Sequence, residues 1–273
     1  LLRERVLVAV IGVPVGIAVI ILGGPFFFGF SVLVALLALH EFYTITRPYR
    51  PNLLVGYVGG AGLIVSCYLL GLSGVVAGLA GLLLLLFFWA MRGGMGDHLV
   101  GRMSLTSLGV LWIAFGLAHL VLIRELDRGL ALTILVFGST WLNDTFAYIF
   151  GRWFGRRRLA PRVSPKKTIV GAAAGLIGAV LFALAVKMYS PWLPAREAAI
   201  LGLVVGLAGQ FGDLFESAVK RDLRIKDSGR LLPGHGGILD RFDSLLLAAP
   251  ACYWACVILL GDVVGVFPVK GLL

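Results

Sequence analysis

Three aspartates carry much of the chemistry in this 273-residue chain: Asp213 in GQFGDLFESAVKR, and Asp240 and Asp243 in RLLPGHGGILDRFD. Asp213 stands within about two turns of the end of an apolar run. Asp240 and Asp243, spaced i,i+3, open another. An Asp at the centre of a membrane helix costs about 2.5–3.5 kcal/mol on insertion scales, so acids kept in such runs point to a site. If the three converge, each like-charge pair at about 5 Å repels by about 3 kcal/mol at an effective dielectric near 20. A cation must then balance them, and oxygen-only ligands favour Mg²⁺, Ca²⁺ or Mn²⁺ over Zn²⁺.

Other polar residues surround these acids in sequence. Asp144 lies in STWLNDTFAYIFGR, sharing a helical face with Tyr148, while Asn143 shares one with Ala147. Asp213, Glu216 and Ser217 fall together at i, i+3 and i+4. Two basic stretches follow these segments. One offers Arg156, Arg157, Arg158, Arg162, Lys166 and Lys167, the other Lys220, Arg221, Arg224, Lys226, Arg230 and Arg241. Pro233 and the glycines of PGHGG bend the chain and let backbone N–H groups approach an anion. Carboxylates, Mg²⁺ and clustered Lys and Arg recur where a nucleoside triphosphate is bound. Simpler readings stand beside this one. The span acids can snorkel or pair with Arg152, one Asp can cap a helix, Arg156–Arg158 can bind anionic lipid, and His235 can be a bystander.

The elements that hold these residues are apolar helices. The chain is 59% hydrophobic and 14% charged, against about 25% charged in soluble domains. Nine runs are long enough to cross a bilayer, at about 6–23, 26–45, 53–70, 73–91, 105–123, 130–150, 169–189, 197–217 and 244–267. The expected fold is an all-α polytopic membrane protein with about nine transmembrane helices. Continuous apolar runs exclude an alternating β-barrel pattern. Net charge is +10, and 19 of the 24 Lys and Arg fall on one face if the N-terminus is inside. The positive-inside rule then puts the N-terminus in the cytoplasm and the C-terminus on the outer side. That placement argues against nucleic acid as the partner of the positive charge.

Short turns at Gly23–Pro25, Gly71–Gly74 and TRPYRPN (46–52) join most runs. Loops 151–167 and 218–243 stand apart by length and polarity. The chain therefore divides into an N-terminal region, 1–128, for packing and oligomerisation, and a C-terminal catalytic region, 129–273. GxxxG pairs at Gly12/Gly16, Gly74/Gly78, Gly171/Gly175 and Gly202/Gly206 allow close helix approach, within the chain or between copies. Cys67, Cys252 and Cys256 lie in apolar runs without metal-ligand spacing and read as small buried hydrophobes.

The stretch SAVKRDLRIKDSGRLLPGHGGILDRFD (217–243) resembles the signature of the phosphatidate cytidylyltransferase, or CDP-diacylglycerol synthase, family: S-x-x-K-R-x-x-x-x-K-D, then P-G-H-G-G-x-x-D-R-x-D. Upstream, NDTFAYIFGRWFGRRRLAPRVSPKKT is similar to D-x-x-A-Y-x-x-G-[RK]-x-x-G followed by S-P-K-K-T. The resemblance implies an enzyme that joins CTP and phosphatidic acid into CDP-diacylglycerol and pyrophosphate, with Mg²⁺ and a second cation, K⁺ or another Mg²⁺. It implies Asp213, Asp240 and Asp243 as cation ligands, and Lys220, Arg221 and Lys226 on the triphosphate with Gly234, His235, Gly236 and Gly237. Ser164, Lys166 and Lys167 meet nucleotide or lipid phosphate, while Asp227 and Asp144 orient basic groups. Asn143, Tyr148, Thr168, Ser217 and Arg241 complete the expected substrate site. Val170 departs from the pattern, which has Glu there, so an impaired member is an alternative, as is an ion-coupled transporter. The expected partners are CTP, phosphatidic acid and membrane lipids, with a homodimer as the assembly. The expected location is a bacterial inner membrane, with the site facing the cytoplasm.

Overall fold

A computed structural model describes residues 2–94, 98–229, 231, 236–261 and 263–264. Among the described residues, nine α-helices run in the order α1 (Leu2–Leu22), α2 (Gly24–Ile45), α3 (Leu53–Trp89), α4 (Leu99–Gly109), α5 (Phe115–Glu125), α6 (Gly129–Phe154), α7 (Ile169–Met188), α8 (Ala195–Asp222) and α9 (Leu239–Leu260). A π-helical turn at Val110–Ala114 makes α4 and α5 one continuous stretch. Among the described residues, seven helical stretches are long and apolar enough to cross a membrane. The difference from the nine runs has two sources. Runs 53–70 and 73–91 fall in the single stretch Leu53–Arg92, and the described apolar part of the first run, Gly12–Leu22, is short. The chain is an all-α polytopic membrane protein. Leu69, Leu83 and Ile258 are 70%, 67% and 79% exposed, as apolar side chains facing lipid are.

Two compact units make up the chain: residues 1–122 with 223–242, and residues 123–222 with 243–273. In the first, α3 is broken at Gly71, whose φ of 62° and ψ of −138° are non-helical. Gly59 packs on Leu82, Gly78 on Leu63, and Gly74 on Ser66. Each pair sums to nearly the same number, which is the pattern of an antiparallel hairpin folded at Gly71. Tyr43 anchors α2 in this unit. It is fully buried, its hydroxyl donates to the Thr106 carbonyl at 2.7 Å, and its ring fills the space over Gly56 and Gly109. Asn52 caps α3 by accepting from Val55 N–H at 3.0 Å, while its own N–H donates to Thr106 Oγ1 at 2.8 Å.

In the second unit, α7 packs on α6 and α8 through small residues. Gly171, Gly175 and Gly178 face Ala147, Asn143 and Leu142 of α6, and Gly202 and Gly206 of α8 face Ala179 of α7. Three of the four GxxxG pairs, Gly74/Gly78 among them, therefore serve packing inside the chain. Cys67, Cys252 and Cys256 are buried and free, as their apolar setting predicts.

The polar segments differ from the sequence reading in two respects. Helix α8 continues to Asp222, so Lys220 and Arg221 belong to its last turn rather than to a loop. Backbone hydrogen bonding carries a helix past the end of its apolar run, and cations favour the C-terminal end of the dipole. The segment after α6 forms a small antiparallel hairpin, β1 (Arg158–Ala160) with β2 (Ser164–Thr168).

The hairpin contacts in α3 fix the sign of two glycine substitutions. Gly→Ala in a helix ordinarily stabilises by about 0.5–1 kcal/mol. Gly74→Ala instead drives a methyl into the Ser66 backbone carbonyl and should lower the melting temperature in detergent, whereas Gly62→Ala meets nothing within 4 Å and should leave it unchanged or raised.

Candidate active site

The second unit gathers acids and amides from α6, β2, α8 and α9. Asn143 is fully buried. Gly175 makes room for it, since a Cβ there would stand 2.7 Å from Asn143 Oδ1. Gln210 Nε2 donates to Asn143 Oδ1 and to the Ala172 carbonyl, both at 2.9 Å. Asn143 Nδ2 in turn donates to Asp144 Oδ1 at 3.1 Å. Two amides thus hand orientation from α8 through α6 to Asp144. Sequence reasoning passed over Gln210. Its signal was an amide inside an apolar run, one turn before Asp213.

Asp144, Asp213 and Asp243 lie near enough to act on one another electrostatically. Lys167 of β2 places its ammonium 2.6 Å from Asp213 Oδ2, and it also acts on Asp144. Ser217 Oγ donates to the other Asp213 oxygen at 3.3 Å. Glu216, buried beside them, is paired with Lys220 one turn along α8 and hydrogen-bonds Asp243. The cation acting on Asp144 is therefore Lys167, while Arg152 donates to the Tyr148 hydroxyl at 3.0 Å. Thr168, 4% exposed, caps α7 by accepting from Gly171 N–H at 3.1 Å. This fixes the strand–helix junction that carries Lys167.

Other expected residues lie around this cluster. Lys166 is exposed, its carbonyl accepting from Arg158 Nη1 at 3.4 Å, and Ser164 is half-buried on β2. Arg221 Nε donates to the Val163 carbonyl at 3.3 Å, tying the end of α8 to the hairpin. Val170 is 41% exposed at the second position of α7, and the Thr168 cap forms with Val there. A Glu at this position would add about 0.3–1 kcal/mol of interaction with the helix N-terminus.

The remaining motif residues belong to the first unit. Lys226, Asp227 and Arg241 are exposed. Asp240 Oδ2 accepts from Ser228 N–H at 3.0 Å and from Gly237 N–H at 2.8 Å. Gly236 has φ +82°, and a Cβ there would stand 2.8 Å from the Asp240 carboxylate. Asp240 lies in the first turn of α9, where the dipole favours an acid, but the N–H groups it accepts from belong to the residues before the helix. Gly234 and His235, with Arg230 and Pro233, lie outside the described residues. A further acid holds this loop: Glu41 of α2, buried to 3% exposure, accepts from Ile238 and Leu239 N–H at 3.0 and 2.9 Å. It was visible in the sequence only as one charge in the run 26–45, with nothing to mark partners almost 200 residues away.

The cluster has more carboxylate than ammonium charge, and its donors are oxygens, so its chemistry fits a hard divalent cation. No three His, Cys, Asp or Glu side chains among the described residues stand ready to share one ion. Lys167 already occupies an oxygen of Asp213. Cation binding would require the carboxylates to draw in and the ammonium to turn toward another anion.

The architecture is that of an integral membrane protein whose polar site sits at the ends of apolar helices. The profile of the cytidylyltransferase family matches residues 3–259, and the chain belongs to that family. It is 35% identical to the phosphatidate cytidylyltransferase of Synechocystis sp., the alignment covering 94% of this chain and 97% of that one. Identity to the phosphatidate cytidylyltransferase of Staphylococcus epidermidis is 32%, over 91% of this chain and 96% of the relative. The Thermotoga maritima phosphatidate cytidylyltransferase is 40% identical over 58% of this chain and 60% of its own length.

Removing the competing ammonium should sharpen the acid cluster. Lys167→Met is expected to tighten Mn²⁺ binding about tenfold, read by electron paramagnetic resonance of the purified protein. Unchanged affinity would locate any cation elsewhere.

Proposed function

We propose that this protein is a Mg²⁺-dependent phosphatidate cytidylyltransferase, forming CDP-diacylglycerol and pyrophosphate from CTP and phosphatidic acid. One observation carries the reading beyond family membership: Lys167 of the SPKKT motif meets Asp213, in the midst of Asp144 and Asp243. Residues from separate sequence motifs thus converge on one charged cluster. Its inventory suits a reaction between two polyanions, whose main demands are alignment and charge stabilisation.

In the reaction, a phosphate oxygen of phosphatidic acid attacks the α-phosphorus of CTP. A new P–O bond forms, the α–β P–O bond breaks, and pyrophosphate leaves with the electron pair. The lipid phosphate has a second pKa of about 6, so near neutral pH it is largely a dianion and needs little help from a base. Lys220 and Arg221, with Lys226, bind the triphosphate, joined by the backbone of the glycine motif and His235. Lys166, Lys167 and Ser164 hold nucleotide or lipid phosphate. Asp213 and Asp243 would hold the divalent cation. When bound, that cation neutralises charge on the triphosphate and the departing pyrophosphate. Asn143 and Gln210 keep Asp144 oriented.

The membrane setting follows the same reading. Nine crossings, with α3 as a pair folded at Gly71, put the N-terminus and the polar loops in the cytoplasm, as the positive-inside rule asks. The site then opens to the inner leaflet, where a phosphatidate headgroup meets CTP while its tails remain in lipid. A homodimer in a bacterial inner membrane is the proposed assembly and location. The transporter alternative has no support from the family match.

Asp213→Asn should reduce CDP-lipid formation by about a thousandfold or more, an effect comparable to removing Mg²⁺ with EDTA, while the helical circular dichroism stays unchanged. Near-normal turnover in that variant would overturn the cation assignment.

A further inference from the structure

We propose that Glu41 is a positioning residue that fastens Ser228 to the start of α9, and thereby sets the affinity for CTP. The proposal rests on the cytidylyltransferase reading for its second half only. Glu41 lies near the end of α2, in a helix made mostly of apolar and aromatic residues. A buried carboxylate persists in such a place when donors meet it, and among the described residues they are Ser228, Ile238 and Leu239. Oε1 accepts from Ile238 N–H at 3.0 Å, and Oε2 from Leu239 N–H at 2.9 Å and Ser228 Oγ at 3.3 Å.

Ile238 precedes α9 and Leu239 is its first residue, so neither N–H has a partner inside the helix. Glu41 caps α9 from a helix nearly 200 residues earlier, with its negative charge at the positive end of the dipole. The loop is shaped around this carboxylate. A Cβ on Gly229 or Gly237 would collide with it, so both positions must remain glycine for the chain to close in. Asp240 then ties the same ends together through Ser228 N–H and Gly237 N–H. Glu41 and Asp240 therefore bind the same two described ends, Ser228 and Gly237–Leu239. With 3% of its surface exposed, Glu41 acts through the loop rather than on substrate.

The test uses Glu41→Gln in the full-length protein, purified in detergent. Gln preserves size but has one acceptor oxygen, and its NH₂ would face a backbone N–H. Amide hydrogen exchange at Gly237–Leu239 should rise about tenfold or more, with exchange in α3 unchanged. In turnover assays the KM for CTP should rise about tenfold, while the KM for phosphatidate stays within about twofold. A partly misfolded preparation would lower kcat and leave both KM values alone. Ser228→Ala, which keeps both backbone N–H bonds, should move exchange and the KM for CTP in the same direction by less. Unchanged exchange in both variants would overturn the anchor, and faster exchange with an unchanged KM for CTP would overturn its functional role. Absence of CTP turnover in the wild type would sink the enzymatic reading, while the exchange measurement would still decide the anchor.

Discussion

Charge held at the ends of apolar helices is the constraint around which this molecule is arranged. Asp213 survives there because Lys167 brings an ammonium to one oxygen and Ser217 a hydroxyl to the other. An acid in an apolar span without such partners would be disfavoured. The same pairing makes the cluster responsive. An ammonium bound to a carboxylate is a cation that an incoming phosphate can draw away, leaving the acid open to a metal ion. One ion pair thus links the stability of the resting site to the chemistry proposed for it.

Small residues bring these charges together. Gly171, Gly175 and Gly178 let α7 approach α6, and Gly202 and Gly206 let α8 approach α7. In lipid no hydrophobic force draws helices together, so close van der Waals packing and hydrogen bonds between helices carry more of the work. The Gln210–Asn143–Asp144 relay depends on that approach, since a side chain at Gly175 would occupy the space of the Asn143 amide. Packing and polar orientation are therefore one arrangement, and a bulky residue on the glycine face should damage both.

Much of this was legible in the sequence. Hydrophobic runs located the helices, with some ends several residues out, because burial in lipid demands continuous apolar length. The paired motifs named the acids and lysines, and the structure joins Lys167 to Asp213 across 46 residues of sequence. What stayed hidden depended on tertiary partners. Nothing in LALHEFYTI marks Glu41 as the cap of α9, and the run's hydrophobicity masked its charge. Helix α8 outran its apolar segment because hydrogen bonding, not hydropathy, ends a helix. The five-residue strand SPKKT was too short to show an alternation, and its pairing with β1 is what orients Lys167.

The central claim is that the acid–lysine cluster serves transfer of a cytidylyl group to a lipid phosphate. It is tested most directly by following the two ends of CTP separately in vesicles containing phosphatidic acid and the purified protein. The account predicts that label on the α-phosphorus enters the organic phase, while label on the β- and γ-phosphorus remains aqueous as pyrophosphate. Both transfers should require Mg²⁺ and phosphatidic acid together. Label from the α-phosphorus that stays in water, or nucleotide cleavage indifferent to the lipid, would contradict it.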